Sequence, residues 1–504
     1  MATECVLAVD IGTQSTRAAL VDYEGHVISS ASSPIELFTP RPGWAEQDPA
    51  QWWSTTVDNI ATVVGRHPGV PVAAVGVGAQ MHGVVAIGAE GDVIGRRAAI
   101  WSDKRCTDQV REFERRDDAS TLAGLAGNRP LPAWAGFKMA WLRRHDPDAY
   151  AHSARLLIVK DFVNLCLCGE MATDPSEASG SFLCDAATGQ WSPPLMEALG
   201  VEQRKLPDIV SSSAVIGGVR GEVAVSTGLR AGTPVVAGSG DMMCQLLGAG
   251  LTRSGRVALV AGTASIMSVA ADAPSPDPRV MNLRSASGNW ARFGIADAAG
   301  VSFRWFMDEF CGPLEPGELV KNAFDRLTKE AAGVEPGSNG LIFFPYLLGE
   351  RTLGSDRSRA SFIGATLGHQ RRHFVRAVLE GITLEDRRSL DCVCPEGFDG
   401  PVRCTGGGAT SSLWNQIRAD VFGHPVQTLT ATEGGIQGAA ILAGVGAGWY
   451  PDPSTGADEV VRAAGTWQPG PGPVRKYDEV YQLFCAVHDL LGRQWPRWDE
   501  GGPV

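Results

Sequence analysis

The chain has 504 residues, which is more than one hydrophobic core normally holds, so we expect two or more domains. Hydrophobic residues make up 44% and charged residues 20%, a balance typical of globular and not of disordered proteins. The formal net charge of −12 argues against nucleic acid or an anionic membrane as a partner. A small anionic ligand held by local donors is still compatible with that charge.

The start of the sequence and its cysteines favour a cytoplasmic protein. The segment from Met1 to Asp10 has no basic stretch and no long apolar run of the kind found in secretory signals. The apolar stretch 257–271 is interrupted by Gly262 and by hydroxyl residues, and it is too short to cross a bilayer. Eleven cysteines without CxxC spacing indicate reduced thiols.

The first predicted element is the hairpin VLAVDIGTQSTRAALVD, residues 6–22. An apolar strand ends in the single carboxylate of Asp10, turns through small and hydroxylated residues, and continues as a second strand. A buried carboxylate is unfavourable unless something pairs with it, and such a turn exposes backbone N–H groups to an anion. The pattern predicts a carboxylate for a metal beside a cradle for phosphate.

Two glycine-containing turns further along the chain raise the alternative hypothesis of a dinucleotide-binding site. GVGAQM (76–81) and GSGDMM (238–243) both follow apolar strands, but each has methionine where the fingerprint needs its third glycine. No GxxxxGK[ST] motif occurs, which argues against a P-loop kinase. For these glycines alone a tight turn is the better interpretation. Asp241 in the second turn can also serve as N-cap of the helix that we predict to follow it.

The second half of the chain repeats the strand-and-turn pattern. VALVAGTASIMSVAA (257–271) predicts a hairpin that turns at Gly262 and Thr263. PVRCTGGGATSS (401–412) predicts a strand leading into a glycine-rich turn, followed by a helix over 413–423 that stops at Gly423. HFVRAVLEGITLEDRRSLDCV (373–393) has apolar residues at helical spacing.

Together these features favour phosphoryl transfer without a Walker lysine. Asp10 and Asp241 supply two carboxylates, and the turns at residues 12–13 and 262–263 offer two phosphate cradles. The glycine-rich turn at 406–408 offers a flat surface for a nucleoside. Because strands, turns and helices recur in both halves, we predict two α/β domains, with a boundary near residue 245.

At this point the sequence resembles the FGGY carbohydrate kinases, and most closely the xylulokinases among them. The resemblance runs in order through GWAEQDPAQWW (43–53), QMHG (80–83), GFKMAWLRRHDP (136–147), FFPYLLGERT (343–352) and IGATLGHQRRHFVRAVLEG (363–381). It implies an α/β, two-domain actin-like ATPase (ribonuclease H-like) fold with a central interdomain cleft. The N-terminal domain would span residues 1–245 and the C-terminal, nucleotide-binding domain residues 246–504.

The resemblance also implies a set of site residues. Asp10 resembles the carboxylate that coordinates the Mg²⁺ of ATP, and Asp241 the catalytic base, which lies beside both sugar and metal. Met81 and His82 match the sugar-binding pair of xylulokinases. The positions that match nucleotide contacts are Thr13, Ser15 and Arg17 in the first turn, Thr263 in the second, and Gly300, Gly407 and Gly408.

The implied activity is phosphorylation of a sugar hydroxyl by Mg-ATP, with D-xylulose as the expected substrate and D-xylulose 5-phosphate as product. Met242 replaces the asparagine that usually follows the base in xylulokinases, so another ketose, a polyol or an aldonate is the alternative substrate. A non-catalytic sugar or nucleotide sensor on the same fold is an alternative of another class, which the presence of both aspartates argues against. A dehydrogenase ranks third. We expect no nucleic-acid or membrane partner, and a homodimer is the commonest assembly for such an enzyme.

Overall fold

The structure is a computed structural model that describes residues 4–312, 319–350, 357–431, 433–493 and 495. Arg351 and Thr352, the last two residues of the FFPYLLGERT motif, lie outside the described residues. In the described part of the chain, no helix combines the length and the apolar character that crossing a membrane requires.

The strands are numbered in chain order. They are β1 (Cys5–Ile11), β2 (Ser15–Asp22), β3 (Val27–Pro34), β4 (Glu46–Gln47), β5 (Val72–Ala79), β6 (Val84–Ile87), β7 (Val93–Ala99), β8 (Arg155–Leu157), β9 (Ala172–Thr173), β10 (Asp208–Ile209), β11 (Val215–Gly218), β12 (Pro234–Val236), β13 (Ser239–Gly240), β14 (Val257–Ala261), β15 (Ser265–Ala271), β16 (Met281–Arg284), β17 (Trp290–Ala296), β18 (Ile342–Phe344), β19 (Ser361–Ile363), β20 (Val402–Thr405), β21 (Val426–Leu429) and β22 (Ala463–Trp467).

The helices follow the same convention. They are α1 (Pro49–Arg66), α2 (Thr107–Glu114), α3 (Ala119–Ala126), α4 (Ala135–His145), α5 (Pro147–His152), α6 (Val159–Cys168), α7 (Pro175–Ser179), α8 (Pro193–Leu199), α9 (Gly221–Thr227), α10 (Asp241–Gly248), α11 (Gly300–Phe310), α12 (Val320–Ala331), α13 (Arg371–Val393), α14 (Ser412–Phe422), α15 (Gly434–Gly446), α16 (Pro453–Val460) and α17 (Pro471–Gly492). Short 3₁₀ turns occur at Gln203–Lys205, Ser338–Gly340 and Gly407–Thr410.

The chain forms two compact units, and neither is continuous in sequence. The first comprises Met1–Ser254, Ala271–Ala291 and Glu433–Val461, and the second comprises Gly255–Ala270, Arg292–Thr432 and Arg462–Val504. The boundary near residue 245 stays a prediction about sequence domains. The compact units divide the chain differently because α15 and α16 pack with the elements of residues 1–254.

The first unit is built on a sheet with the strand order β11-β12-β5-β1-β2-β3, in which β13 also pairs with β5. The predicted first hairpin is confirmed: β1 pairs antiparallel with β2, and it pairs parallel with β5 on its other side. Because strand side chains alternate, Leu7 and Val9 pack with residues of α1 and α6, whereas Val6 and Ala8 pack with residues of α10 and α15. Asp10 continues the second series and therefore lies on the α10/α15 side of the sheet.

Close backbone contact holds α10 and α15 on this face. A Cβ at Gly438 would lie 1.9 Å from the carbonyl oxygen of Cys244, and one at Gly76 would lie 2.3 Å from that of Ala439. Neither distance is compatible with a side chain, so these glycines let the two helices and β5 approach each other. The packing of the two helices against each other and of α15 against β5 is thereby fixed.

The second unit repeats this plan, with strands in the order β17-β15-β14-β20-β21-β22. The predicted second hairpin is confirmed by the antiparallel pairing of β14 with β15, and β14 is also parallel to β20. The two predicted helices are confirmed as α13 and α14. Gly423 stops helix α14 as predicted: it is the residue that caps the C-terminus of the helix after Phe422. It adopts φ +69°, in the left-handed region that favours glycine.

Candidate active site

Asp10 lies near the C-terminal end of β1, opposite Arg17 of β2. Its Oδ1 atom is buried and accepts no hydrogen bond from the described residues. The first turn of α15 lies close by, since a Cβ at Gly435 would be 3.0 Å from Asp10 Oδ2. Burial raises the pKa of Asp10 to about 6, although the positive charge of Arg17 acts in the opposite direction. The carboxylate is therefore held beside a helix N-terminus with an acceptor to spare.

Asp241 lies at the same edge of the same sheet. Ser239 of β13 pairs with Gly78 of β5, and Gly78 pairs on its other side with Asp10. Asp241 follows two residues later, and its side chain is partly exposed. Burial raises the pKa of Asp241 to about 7, and the negative charge of Asp10 adds to the effect. The two carboxylates are thus close enough to interact electrostatically.

The expectation that Asp241 caps α10 is wrong in detail. The N-cap is Gly240, which has the non-helical backbone angles of a capping residue, and Asp241 is the first residue of the helix. Its Oδ1 atom accepts a hydrogen bond from the backbone N–H of Met242 at 2.7 Å. This bond orients the carboxylate at the start of the helix and leaves its other oxygen available to a ligand.

Met81 and His82 form the turn between β5 and β6. The Met81 side chain packs against Gly240, because a Cβ there would lie 2.5 Å from Met81 Cγ. His82 adopts φ +67°, which is unusual for a residue with a side chain, and its ring meets that of Trp134 edge to face at 5.0 Å. Burial and the positive charge of Lys138 lower the pKa of His82 to about 3. The imidazole is therefore neutral near pH 7.

A buried group of charged residues supports this turn, and the sequence analysis did not assign it a role. Glu177 on α7 is 1% exposed, and its Oε2 atom accepts a 3.4 Å hydrogen bond from the backbone N–H of His82. Lys160 lies 2.6 Å from Asp161 and 3.6 Å from Asp174. Burial and the charge of Asp174 raise the pKa of Glu177 well above its ordinary value. The signal in the sequence is the presence of Lys160, Asp161, Asp174 and Glu177 within the single segment 159–181.

The first turn contains Thr13 and Ser15, and Arg17 follows on β2. The Gly12 N–H donates to the carbonyl of Ser15 at 3.0 Å and closes the turn. The hydroxyl of Thr13 accepts a 2.9 Å hydrogen bond from the indole N–H of Trp101, a residue that sequence reasoning left without a role. Arg17 lies 3.5 Å from Glu433 with both side chains well exposed to solvent, so this pair is weak and the guanidinium can exchange partners.

In the second unit, Thr263 is exposed at the turn between β14 and β15. The first two N–H groups of α11, those of Gly300 and Val301, donate to the carbonyls of Gly262 and Thr263 at 3.1 and 3.2 Å. A Cβ at Gly300 would lie 2.4 Å from the carbonyl oxygen of Gly262, so only glycine permits this approach. The turn is thereby held against the N-terminus of α11, and it already occupies the first two N–H groups of that helix.

The glycine-rich turn at residues 406–408 lies beside the C-terminal end of β14. A Cβ at Gly406 would be 2.6 Å from the carbonyl oxygen of Ala261, and one at Gly408 would be 3.0 Å from Ala261 Cβ. A Cβ at Gly407 would have no protein atom within 4 Å, so that position opens to solvent. The second unit therefore brings together Thr263, Gly300 and residues 407–408, which were predicted from separate motifs.

The predicted site residues thus form two local groups. The first unit brings together Asp10, Thr13, Ser15, Arg17, Met81, His82 and Asp241. The second unit brings together Thr263, Gly300, Gly407 and Gly408. Their roles in binding and catalysis stay predictions at this stage.

Comparison with known families settles the class of protein. The family model of the N-terminal domain of FGGY carbohydrate kinases matches residues 5–248, and that of the C-terminal domain matches residues 257–447. The chain belongs to the FGGY family of carbohydrate kinases. This membership confirms that the protein is a sugar kinase of the FGGY type, in a family that uses ATP.

Individual relatives of this FGGY kinase carry two substrate names. It is 31% identical to the xylulose kinase of Bacillus subtilis (strain 168), over 96% of each chain. It is 27% identical to the gluconokinase of the same organism, over 98% of this chain and 97% of that one. The crystal structure of xylulose kinase from Rhodospirillum rubrum matches with a TM-score of 0.89 at 31% identity, covering 98% of this chain and 100% of that one. The predicted actin-like ATPase fold is confirmed.

Proposed function

We propose that this FGGY kinase transfers the γ-phosphoryl group of ATP to a hydroxyl of D-xylulose, giving D-xylulose 5-phosphate and ADP. The observation that carries the proposal is the electrostatic coupling of Asp10 and Asp241 at one edge of a single sheet. The similarity to chains named xylulose kinase supports the choice of sugar.

Asp241 is the proposed base. As the sugar oxygen forms its bond to the γ-phosphorus and the bond from that phosphorus to the ADP oxygen breaks, the hydroxyl proton passes to the Asp241 carboxylate. A pKa raised to about 7 makes this carboxylate a better base than an ordinary aspartate. Its hydrogen bond to the Met242 N–H fixes the direction of the accepting oxygen.

Asp10 is the proposed carboxylate for Mg²⁺. Its buried Oδ1 atom has no partner among the described residues, which suits a metal or a metal-bound water. No group of three or more potential metal ligands occurs in the described part of the chain, and Mg²⁺ in phosphoryl-transfer sites commonly takes only one or two carboxylates. Asp241 is the second such carboxylate. When bound, Mg²⁺ would neutralise charge on the ATP phosphates.

The remaining positions are proposed to hold the nucleotide and the sugar. Backbone N–H and hydroxyl groups at Thr13, Ser15 and Thr263 suit phosphate oxygens, and Arg17 adds a positive charge. The open position at Gly407, next to Gly408, suits an adenosine, and the close approach at Gly300 fixes the turn that carries Thr263. Met81 offers an apolar contact and His82 a neutral hydrogen-bonding ring to the sugar.

The charges around the proposed sugar site favour a neutral substrate. The groups whose charges act on Asp241 and Glu177 are mainly other carboxylates. Lys160 is already paired with Asp161 and Asp174, and the Lys138 ammonium donates to the carbonyls of Pro132 and Ala133. A ketose adds no further negative charge to this environment, whereas an aldonate does.

The decisive experiment is an ADP-release assay over a panel of ketoses, polyols and aldonates, run with wild-type protein and Asp241→Asn. We expect D-xylulose to give the highest kcat/KM. The variant should lose kcat by about 10²–10⁴-fold while its affinity for the sugar, measured by calorimetry, is kept. Full activity in the variant would remove Asp241 from the role of base, and no ADP release with any ketose would remove the proposed substrate.

A polyol or aldonate is the second candidate substrate, and Met242 is the observation that favours it. Its thioether cannot supply the hydrogen bonds of an asparagine amide beside Asp241. The match to a chain named gluconokinase points the same way. Met242→Asn in the same panel tests this alternative: a rise for D-xylulose relative to the other sugars would assign residue 242 to substrate selection.

A further inference from the structure

Two side chains of α14 donate hydrogen bonds to the backbone of the glycine-rich turn (residues 406–409) of the second unit. The Arg418 Nη1 atom donates a 2.8 Å hydrogen bond to the carbonyl of Gly408, and the Asn415 Nδ2 atom donates one of 2.8 Å to the carbonyl of Ala409. Arg418 is only 1% exposed, and its Nη1 atom also donates to Asn415 Oδ1 at 2.9 Å. A buried cation thus fixes the backbone at which the nucleoside is proposed to bind.

A side chain of α13 likewise hydrogen-bonds to a residue beside the turn that carries Thr263. The hydroxyl of Ser265, the first residue of β15, donates to Asp386 Oδ1. Asp386 is 1% exposed, and its other oxygen accepts no hydrogen bond from the described residues. A buried carboxyl group therefore holds the turn proposed to bind phosphate.

The helices that carry these two side chains, α13 and α14, are in direct contact. Trp414 of α14 donates from its indole N–H to the hydroxyl of Thr383 of α13 at 3.0 Å, and the Arg418 guanidinium lies over the Trp414 ring at 4.1 Å. Burial raises the pKa of Asp386 to about 7, whereas the hydrogen bond from Ser265 and the charge of Arg418 both lower it. The charge of Arg418 therefore stabilises Asp386 when that carboxyl is ionised.

Stability alone does not account for this arrangement. Removing two charges from water is expensive, and well-packed apolar residues often replace buried charges with no loss of stability. What an apolar pair cannot do is hydrogen-bond to Ser265 and to the Gly408 carbonyl at the same time.

We propose that Arg418 and Asp386 are positioning residues that hold the glycine-rich turn and the Thr263 turn at the spacing a nucleoside polyphosphate requires. The proposal rests on the proposed nucleotide role of these two turns. Arg418 acts through the Gly408 carbonyl and Asp386 through the Ser265 hydroxyl, and neither side chain touches the nucleotide.

Calorimetric titration with Mg-ADP and, separately, with D-xylulose tests the proposal on Arg418→Met. The matched control is Arg388→Met, since Arg388 is also a largely buried arginine of the second unit, paired with Glu385 at 2.8 Å and with Tyr346 at 3.0 Å. We expect Arg418→Met to weaken ADP binding about tenfold, because a turn released from Arg418 that adopts its binding conformation only about a tenth of the time raises the apparent Kd by that factor. Its affinity for the sugar should stay within about twofold, and Arg388→Met should change neither affinity beyond that margin.

Asp386→Leu is measured in the same way as Arg418→Met. If one of these single variants folds poorly, the double variant Arg418→Met/Asp386→Leu keeps the test informative, since it removes both buried ionisable groups together. We expect it to melt at or above the wild-type temperature and still to bind ADP about tenfold more weakly. Because both side chains maintain one spacing, the two single effects on ADP affinity should not multiply in the double variant. Effects that multiply, or wild-type ADP affinity in a folded Arg418→Met or double variant, would overturn the proposal.

Failure of the proposed function gives a different result. If the wild-type protein binds Mg-ADP but phosphorylates no sugar, the substrate assignment fails and the ADP measurements still decide the role of Arg418 and Asp386. If Arg418→Met and Arg388→Met weaken ADP binding equally, the effect is one of general stability, and the positioning role is overturned.

Discussion

In the first unit the proposed ligand contacts are chiefly side chains, whereas in the second unit they are mostly backbone groups. Asp10 and Asp241 are carboxylates forced together at one sheet edge, and burial raises the pKa of both. Gly300 and Gly408 instead owe their positions to the absence of a side chain. The first unit therefore supplies the proposed reactive carboxylates, and the second unit supplies a backbone surface shaped by glycines.

This difference predicts how each half responds to substitution. Charged groups held together against solvation and repulsion weaken the fold, so removing one should cost activity and increase stability. Glycines that permit close backbone contact do the opposite, because any side chain there must displace a neighbour. The following experiments test that contrast, starting with the largest expected effect.

Asp10→Asn should lower kcat for sugar phosphorylation by about 100-fold or more and raise the melting temperature at pH 7.5. The amide keeps the shape of the side chain but removes a charge that burial disfavours and that repels Asp241. Steady-state kinetics and thermal unfolding give the two values. Asp22→Asn is the control, since Asp22 lies at the far end of the β1–β2 hairpin and binds the backbone N–H groups of Glu24 and His26. A lower melting temperature in Asp10→Asn would contradict the expectation that removing a carboxylate from the site of the first unit stabilises the fold.

Gly407→Ala and Gly406→Ala should separate ligand contact from fold. A methyl group at residue 407 meets no protein atom within 4 Å, so we expect an unchanged melting temperature and a several-fold higher KM for ATP. At residue 406 the methyl group meets the Ala261 carbonyl at 2.6 Å on a backbone with φ +86°, so the free energy of unfolding should fall by more than about 1 kcal/mol. Equal melting temperatures for the two variants would show that residue 406 does not carry the constraint.

Glu177→Gln should have the smallest effect, and it should depend on pH. Because the pKa of Glu177 is raised in the folded protein, the wild type loses stability as the pH rises from the ordinary glutamate pKa of about 4.3 toward the raised value. Glutamine keeps the acceptor for the His82 N–H without that loss. Thermal unfolding should give nearly equal melting temperatures at pH 4.5 and a higher one for the variant at pH 8. A difference that is independent of pH would mean that Glu177 is ionised throughout.

Local patterns in the sequence were sufficient to predict the local structure. The two hairpins and helices α13 and α14 follow from alternation, helical spacing and a glycine stop, all read within about twenty residues. The positions of Thr263 and Gly407 relative to each other do not follow from such patterns. They depend on the parallel pairing of β14 with β20, whose residues are far apart in sequence.

The residues that sequence reasoning missed are mostly those whose partners are remote. Gly435 matters because α15 returns to β1, and Glu177 because α7 reaches the turn at His82. Arg418 and Asp386 sit in amphipathic helices where a charged residue is normally expected to face water. Only the packing of α13 and α14 shows that both are buried.

The return of α15 to the first unit has a consequence for synthesis on the ribosome. Val6, Ala8 and Ala19 of the N-terminal hairpin pack with Ile436, Ala439 and Ala440, which are translated some four hundred residues later. A nascent chain that has reached residue 254 contains the whole central sheet of this unit but leaves the part of one apolar face that α15 covers exposed. We therefore expect a fragment ending at residue 254 to aggregate or recruit chaperones, and a separately supplied 433–461 peptide to improve its solubility.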